Sequence, residues 1–449
     1  MPEKLNQWVL TGLGATLALA LSACAEQSES VKEDVSEKVE AIKEDVEAAI
    51  QDAEIKIEEG QETTTECEET LHYSVREGEG YGIPGTAGAK RWGMPDAGST
   101  NLRVRRSYST LSDEEKKRLA DAFVGLKQAT VDSEASWAQR ADYETFCEDG
   151  YTRNLYDYYV ELHFSAFVSM GKDDMGEYQM AHMGPQFLPW HRYYLLRLEA
   201  DLRDILGDPD FALPYWDWED CEAGNEDGSN PCPKIFDTDF LGDHGGCEDG
   251  EKEVTGYLVD EGFQTNLYSE GTLETVFNID SLRCDSKPLQ RAVGCSETTE
   301  GAAPTGEDAA GVFDRHVYDV ESYDTCNTDE NVSMRQYLEG YSESEERTLC
   351  IIVGCQTHGL GHVYVGGDMA SGGMPPNDPM FFLHHANVDR LWAMWQDRNR
   401  EKDETAVDYG NPGYPDDWRG EIFNFDEVRA AELFDFRALG YRYDTNSGE

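Results

Sequence analysis

The chain has 449 residues, of which 37 are Lys or Arg and 91 are Asp or Glu, so its formal net charge at pH 7 is -54. Nucleic acids and anionic membrane surfaces repel so acidic a protein, which excludes both as electrostatic partners. The acidity is typical of a protein in a salty medium, where screening limits self-repulsion.

The N-terminal segment has the pattern of an export signal. Residues 1–24 contain one lysine and an apolar run from Trp8 to Leu21, and Cys24 follows within a Leu-Ser-Ala-Cys sequence. This pattern is typical of a bacterial lipoprotein signal peptide. We expect secretion across the inner membrane and a lipid on Cys24 that anchors the mature chain to a membrane, in the periplasm or at the cell surface. An ordinary cleaved signal peptide is the alternative.

The next segment, residues 25–66, is rich in Glu and Lys. Its apolar residues recur three, four or seven positions apart between Val31 and Ile57. This spacing predicts an amphipathic helix with a narrow apolar stripe. We interpret it as a stalk or linker, and the alternative is a short coiled coil that forms a homo-oligomer. The globular domain is predicted to span residues 67–449.

Three histidines follow in separate local settings. His163 lies in an apolar stripe with the spacing of one buried helix face. His182 precedes a loop with Pro185 and Pro189, which should interrupt any helix. His191 is predicted to open a second helix, whose apolar residues again keep helical spacing. The sequence therefore predicts that two helices and a loop present these histidines.

Cysteines concentrate in the middle of the chain. Most of the 11 lie between Asp220 and Leu360, and setting Cys24 aside leaves 11 − 1 = 10, an even number. Ten cysteines could form five disulfides in an oxidising compartment. We expect these bridges to staple long loops, in pairings that the sequence does not specify.

A second histidine cluster lies near the C-terminal end. His358 and His362 are four residues apart, so a helix would place both on one face. A Gly/Pro-rich loop follows, and then a helix is predicted just after Pro379. This helix carries the pair His384 and His385, one of which would complete a second group of three.

Two groups of three histidines point to metal chemistry. Neutral imidazoles suit copper, and two such copper sites that face each other can hold dioxygen. A zinc protease needs a glutamate where this chain has Gly359. A carboxylate di-iron protein needs two Glu-x-x-His motifs, and the spacing occurs only from Glu69 to His72. The sequence therefore predicts a protein with two copper ions that uses dioxygen.

Longer motifs surround both histidine groups. The segments that carry a resemblance are residues 182–192, 213–218, 358–369 and 378–392, with Arg105-Arg106 before them and residues 440–443 after them. On these segments the chain resembles the tyrosinase and catechol oxidase family of type 3 copper proteins over residues 100 to 445. The expected fold is mainly α, with an antiparallel four-helix bundle that holds a dinuclear copper site and with long disulfide-stapled loops.

The resemblance also implies roles for individual residues. The implied ligands are His163, His182 and His191 for copper A and His358, His362 and His385 for copper B. The family's ligand in a His-His pair is normally the second, which favours His385 over His384. Asp389 would orient a ligating imidazole from outside the metal shell, or alternatively pair with an arginine in the core. Phe381 would pack over a copper B histidine, or serve as a core residue.

The implied reaction is the oxidation of o-diphenols (catechols) to o-quinones by dioxygen. Family members that hydroxylate monophenols often carry an asparagine just after the first copper B histidine and a glutamate a few residues before it. This chain has Gly359 and Gly354 there, so we predict that diphenol oxidation dominates. The alternatives are a tyrosinase that also hydroxylates monophenols and a hemocyanin-like dioxygen carrier with a blocked substrate entrance.

Overall fold

The structure is a computed structural model. It describes residues 102–129, 154–168, 170–173, 176–179, 181–182, 184–221, 235–248, 252–269, 282–296, 299, 301–319, 333–340, 356–371, 373–400, 421–422 and 425–445. The predicted signal peptide with Cys24, the predicted stalk and Gly354 lie outside the described residues.

Helices dominate the described part of the chain, which confirms the predicted mainly α class. In chain order they are α1 (Asp113–Gln128), α2 (Leu155–Val168), α3 (Phe187–Leu206), α4 (Tyr257–Asp260), α5 (Gly306–Val312), α6 (Met334–Glu339), α7 (Thr357–Val365) and α8 (Met380–Arg400). Short 3-10 turns lie at Tyr108–Thr110, Trp218–Cys221, Gly367–Ala370, Pro375–Asn377 and Ala430–Leu433.

Helix α3 lies at the centre of this packing. It contacts α1 and α8, α1 also contacts α2, and α7 contacts both α6 and α8. Large side chains fill the spaces between these helices, and the indoles of Trp190, Trp216, Trp218, Trp392 and Trp395 are fully buried. The core is therefore rich in aromatic rings next to the helices that carry the histidines.

The ends of the helices follow local sequence signals. Ser112 and Glu115 form a capping box at the start of α1, and Gly207 ends α3 in a left-handed conformation with φ 61°. The prediction that His191 opens its helix is wrong by about one turn, because α3 already begins at Phe187. Pro189 fits in this first turn, where a backbone N–H has no partner within the helix.

The strands form small two-stranded sheets. The antiparallel pairs are β2 (Met170–Asp173) with β3 (Gly176–Gln179), β4 (Tyr268–Ser269) with β5 (Leu282–Arg283), and β6 (Glu421–Ile422) with β7 (Phe425–Arg429). Strands β1 (Arg103–Arg105) and β8 (Tyr441–Tyr443) pair in parallel, with Arg105 opposite Tyr443. This last pairing brings together segments that are distant in sequence, including the arginine and tyrosine motifs.

Disulfides occur in the loops on either side of α4. Cys247 is bonded to Cys295 across 48 residues, and Cys284 is also disulfide-bonded. Bridges among the other cysteines stay a prediction. No helix in the ranges given above is both long enough and apolar enough to cross a membrane.

Candidate metal centre

The first histidine cluster comes from two helices and the segment between them. His163 lies on α2, His191 lies on α3, and His182 lies in the bend before α3. Each of the three buried residues offers one ring nitrogen, and these nitrogens lie within 4.8 Å of one another. The ring centroid of His182 is 4.9 Å from that of His163 and 4.9 Å from that of His191. This group is the one that the sequence predicted.

The second cluster comes from α7 and the start of α8. The Nε2 atoms of His358 and His362 are 3.0 Å apart, and the Nε2 atom of His385 lies 3.2 Å from the former and 3.3 Å from the latter. One face of α7 supplies two of these nitrogens, as expected for residues one turn apart. Three imidazole nitrogens therefore converge on one point.

Backbone carbonyls fix two imidazoles of the first cluster. His163 Nδ1 lies 2.8 Å from the carbonyl oxygen of Gly373, and His191 Nδ1 lies 2.8 Å from that of Phe187. A carbonyl oxygen can only accept, so each Nδ1 carries the hydrogen and the lone pair is left on Nε2. This orientation by an outer hydrogen bond is common among metal-binding histidines.

The α7 histidines are held in the same way. His358 Nδ1 lies 3.0 Å from the carbonyl oxygen of Glu339, and His362 Nδ1 lies 2.9 Å from that of Met369. Both side chains therefore also present an Nε2 lone pair to the cluster centre.

Two observations test whether these residues fit a metal ion. The Nε2 atoms of His163 and His191 are buried and have no hydrogen-bond partner within the described part of the chain. In the second cluster, the Nε2 lone pairs of His358 and His362 face each other at 3.0 Å. Two acceptors cannot satisfy each other, whereas a cation between them satisfies both. The residues fit a metal ion in each cluster.

Burial keeps these imidazoles neutral. It lowers the pKa of His163 to about 3, although the hydrogen bond to Gly373 opposes this shift, and it lowers the pKa of His362 to about 4. Burial also lowers the pKa values of His182, His191 and His385 well below the ordinary value. Neutral imidazole is the form that binds metals, so metal ions face little competition from protons at neutral pH.

His384 lies next to the second cluster, of which His385 is a member. The ring nitrogens of these two histidines have different partners. One ring nitrogen of His384 lies within 4.8 Å of those of His358 and His362. However, its Nε2 atom is 3.0 Å from the carbonyl oxygen of His358, and Trp218 Nε1 donates to its Nδ1 atom at 3.2 Å. Protein groups thus engage both nitrogens of His384. The Nε2 atom of His385 instead points at the other two histidines.

The two clusters face each other through stacked rings. The rings of His191 and His385, one from each cluster, have centroids 4.3 Å apart and are inclined by 17°. Phe381 stacks on His385 at 4.0 Å and contacts His163 at 4.9 Å. Phe187 contacts His191 and His358, each at 4.9 Å. Two phenylalanines that each contact both clusters therefore fix the spacing between them.

Ring packing, rather than hydrogen bonding, orients the remaining two histidines. The Nδ1 atoms of His182 and His385 are buried and have no partner among the described residues. His385 lies between the rings of Phe381 and His191. Its position is therefore set by stacking.

The predicted role of Asp389 as a residue that orients an imidazole needs correction. Its carboxylate accepts hydrogen bonds from Arg105, Arg192, Tyr441 and Tyr443. The Nδ1 atom of the nearest predicted ligand along α8, His385, is not one of its partners. Asp389 thus follows the alternative reading, a core carboxylate paired with arginines. The reason is the β1–β8 pairing, which brings Arg105 and both tyrosines to this position.

The carbonyl acceptors could not be found from side-chain patterns, because any residue can supply a carbonyl. Two of them lie beside ion pairs that are buried or partly buried. Next to Met369, Asp368 accepts from Lys287 at 2.6 Å. Arg335 joins Asp319 to Glu339 within the core at 2.8 and 2.9 Å. These pairs hold the 3-10 turn that orients His362 and the end of α6 that orients His358.

Comparison with known proteins places the chain in a family. The family model described as the common central domain of tyrosinase matches residues 153–398, more than half of the chain. The chain belongs to the tyrosinase family. A tyrosinase of Streptomyces glaucescens is 30% identical over 347 residues, which cover 77% of this chain and 100% of that protein. The grixazone synthase of Streptomyces griseus is 31% identical over 303 residues, covering 66% of this chain and 85% of that one.

Among solved structures, a variant of a polyphenol oxidase from Thermothelomyces thermophila matches with a TM-score of 0.45. It is 20% identical, and the match covers 74% of this chain and 78% of that chain.

The tyrosinase family consists of type 3 dicopper oxidoreductases. The two histidine clusters are therefore groups that could each hold one metal ion of such a centre.

Proposed function

We propose that this tyrosinase-family protein binds two copper ions and uses dioxygen to oxidise o-diphenols to o-quinones. His163, His182 and His191 would hold copper A, and His358, His362 and His385 would hold copper B. The observation that carries the proposal is the pair of facing clusters, in which neutral imidazoles that are buried or, for His362, partly buried direct ring nitrogens to two neighbouring points.

Copper, when bound, supplies the redox chemistry with dioxygen, and the protein supplies its setting. Carbonyls at residues 187, 339, 369 and 373 hold four imidazoles in the tautomer that donates to metal. Phe187 and Phe381 are fully buried between the clusters and exclude water from their sides of the centre.

The preference for diphenols follows from the residue after His358. Deprotonation of a phenol, with a pKa of about 10, is assisted by a positioned base or a base-held water. Gly359 offers no side chain for this purpose, and Gly354 offers none either. A catechol can instead lose its protons as it binds copper, so its oxidation needs this help less.

Hydroxylation of monophenols is the second candidate. The relatives from Streptomyces glaucescens and Streptomyces antibioticus are both named tyrosinase, at 30% and 31% identity. A carboxylate from another part of the chain would then have to replace the missing side chains.

Two further parts of the proposal concern architecture and location. We propose that α2, α3, α7 and α8 form the antiparallel four-helix bundle around the copper ions, which the packing of α3 and α7 on α8 supports. We also propose that the chain is a lipoprotein anchored at Cys24 and separated from the membrane by the stalk. The sequence pattern at residues 1–24 is the support for this location.

Copper content tests the metal assignment. We expect two copper ions per chain in fully loaded wild type, and one in either His191→Ala or His362→Ala. Zinc in place of copper, or one copper ion in wild type, would contradict the assignment.

Oxygen uptake tests the reaction. With copper-loaded protein, we expect rapid uptake with a catechol and slow uptake with the matching monophenol, and Gly359→Asn should raise the monophenol-to-diphenol rate ratio. Equal rates in wild type, without a lag, would favour the tyrosinase alternative. Reversible oxygen binding without turnover of either substrate would favour an oxygen carrier.

A further inference from the structure

We infer that His384 is a positioning residue that locks the ligand-bearing turn of α7 against α8, and that it is not itself a metal ligand. This inference rests on the proposed assignment of His358, His362 and His385 as the copper B ligands. His384 is fully buried and directly precedes His385. A change in the contacts of His384 would therefore shift the positions of all three proposed ligands.

The hydrogen bonds of His384 define a single neutral tautomer. Because the carbonyl oxygen of His358 can only accept, Nε2 carries the hydrogen and donates to it at 3.0 Å. Because an indole N–H can only donate, Trp218 Nε1 donates to the lone pair on Nδ1 at 3.2 Å. Both nitrogens are used, and no lone pair is left for a metal ion.

The acceptor of the His384 Nε2 hydrogen bond, the carbonyl oxygen of His358, lies between the two ligands on α7. In an α-helix the carbonyl of residue i accepts from the amide of residue i+4. For His358 that residue is His362, so one peptide group connects the two ligands that α7 provides. The bond from His384 attaches this peptide group to α8, which carries His385.

Close packing leaves the His384 ring little freedom to move. A Cβ atom built on Gly361 would lie 2.1 Å from His384 Cε1, so only glycine allows the imidazole to lie this close to α7. The ring stacks on that of His358 with an inclination of 18° and a centroid distance of 5.4 Å. On other sides it contacts the indoles of Trp216 and Trp218, each at 5.6 Å.

The segment after α3 completes the connection. The backbone N–H of Trp216 donates to the carbonyl oxygen of Leu383 at 2.9 Å, one residue before His384. Trp218 then donates to the His384 ring. A loop, α7 and α8 thus meet at one imidazole, which sets the distance between the α7 ligand pair and His385.

A matched pair of substitutions isolates the hydrogen bond. Leu and Gln both lack the ring and are similar in volume, but the longer Gln side chain ends in an amide that can donate to the His358 carbonyl in place of Nε2. We expect His384→Gln to keep both copper ions. We expect His384→Leu to bind one copper ion as wild type does and the other about 10- to 100-fold more weakly, as is typical when an outer partner of a ligand is lost.

The measurement is copper content after competition with a chelator, together with unfolding of the metal-free proteins. Equal copper retention by the Leu variant and wild type would overturn the inference. So would loss of copper from the Gln variant to the same extent as from the Leu variant, because the imidazole itself would then be the ligand. Loss of both copper ions with a large drop in metal-free stability would also overturn it, since the role would be general packing.

If the Leu variant does not fold, Trp218→Phe decides the question. This change keeps a flat apolar ring, but it removes the donor to Nδ1 together with part of the indole. A lower affinity for one copper ion, with the other bound as in wild type, supports the inference, and an unchanged affinity contradicts it. Fewer than two copper ions in wild type would instead count against the proposed function, so the two failures are distinguishable.

Discussion

Gly373→Ala should weaken copper A binding, although residue 373 contacts no metal. The Gly373 carbonyl accepts from His163 Nδ1 at 2.8 Å. Its backbone has φ +77°, and a Cβ atom there would lie 2.8 Å from Phe164 Cδ2 and 3.0 Å from Phe167 Cδ1. An alanine must therefore move the backbone, the rings, or both.

The expected size of the effect follows from these two conflicts. A left-handed conformation costs an L-residue about 1–2 kcal/mol, and overpacking in a core costs about 1–3 kcal/mol. The metal-free variant should thus lose about 2–5 kcal/mol of unfolding free energy. Displacement of the carbonyl from His163 should weaken copper A binding about 10- to 100-fold.

Gly207→Ala is the matched control for the free-energy cost of a left-handed backbone conformation. Gly207 has φ +61°, but a Cβ atom there would meet nothing within 4 Å. This variant should lose about 1–2 kcal/mol and bind copper as wild type does. Urea unfolding and chelator competition measure both quantities. If Gly373→Ala binds both copper ions as tightly as Gly207→Ala does, the carbonyl of residue 373 does not hold His163 in its binding orientation.

Three other predictions concern pH, the buried carboxylate and the anchor. Burial lowers the pKa of His163 to about 3 and that of His362 to about 4, so below pH 6.5 the unfolded chain binds more protons than the folded one. Metal-free protein should lose stability as the pH falls from about 6.5 towards those values, by about 1.4 kcal/mol per pH unit for each histidine, and equal urea-unfolding free energies at about pH 7.5 and 5 would contradict this. Asp389→Asn should cost about 3–5 kcal/mol, because Arg192 loses its buried carboxylate partner and Arg105 keeps only Glu199 of its two. Copper affinity of the folded Asp389→Asn variant should stay unchanged, and a loss comparable to that of a ligand variant would restore the imidazole-orienting role. Cys24→Ser should release the protein from membranes, and mass spectrometry that finds no lipid on Cys24 of the mature wild type would refute the anchor.

Sequence alone determined the features that depend on local periodicity and local chemistry. Four-residue spacing placed His358 and His362 on one face of a helix, and the apolar stripe around His163 predicted a buried helix. Both features follow from 3.6 residues per turn, which needs no knowledge of distant segments. The mainly helical class was instead implied by the resemblance to a known family. The longer motifs, through resemblance to a known family, added the metal and the reaction.

Tertiary structure decided which groups from distant segments pair with the side chains of the site. Adjacent residues on a helix point about 100° apart, and spacing could not choose between His384 and His385. Only the positions of α7 and Trp218 distinguish their nitrogens. Asp389 became a partner of arginines because β1 pairs with β8 from the far end of the described chain. His163 is oriented by a carbonyl 210 residues away, and a backbone carbonyl leaves no mark on the sequence because every residue has one.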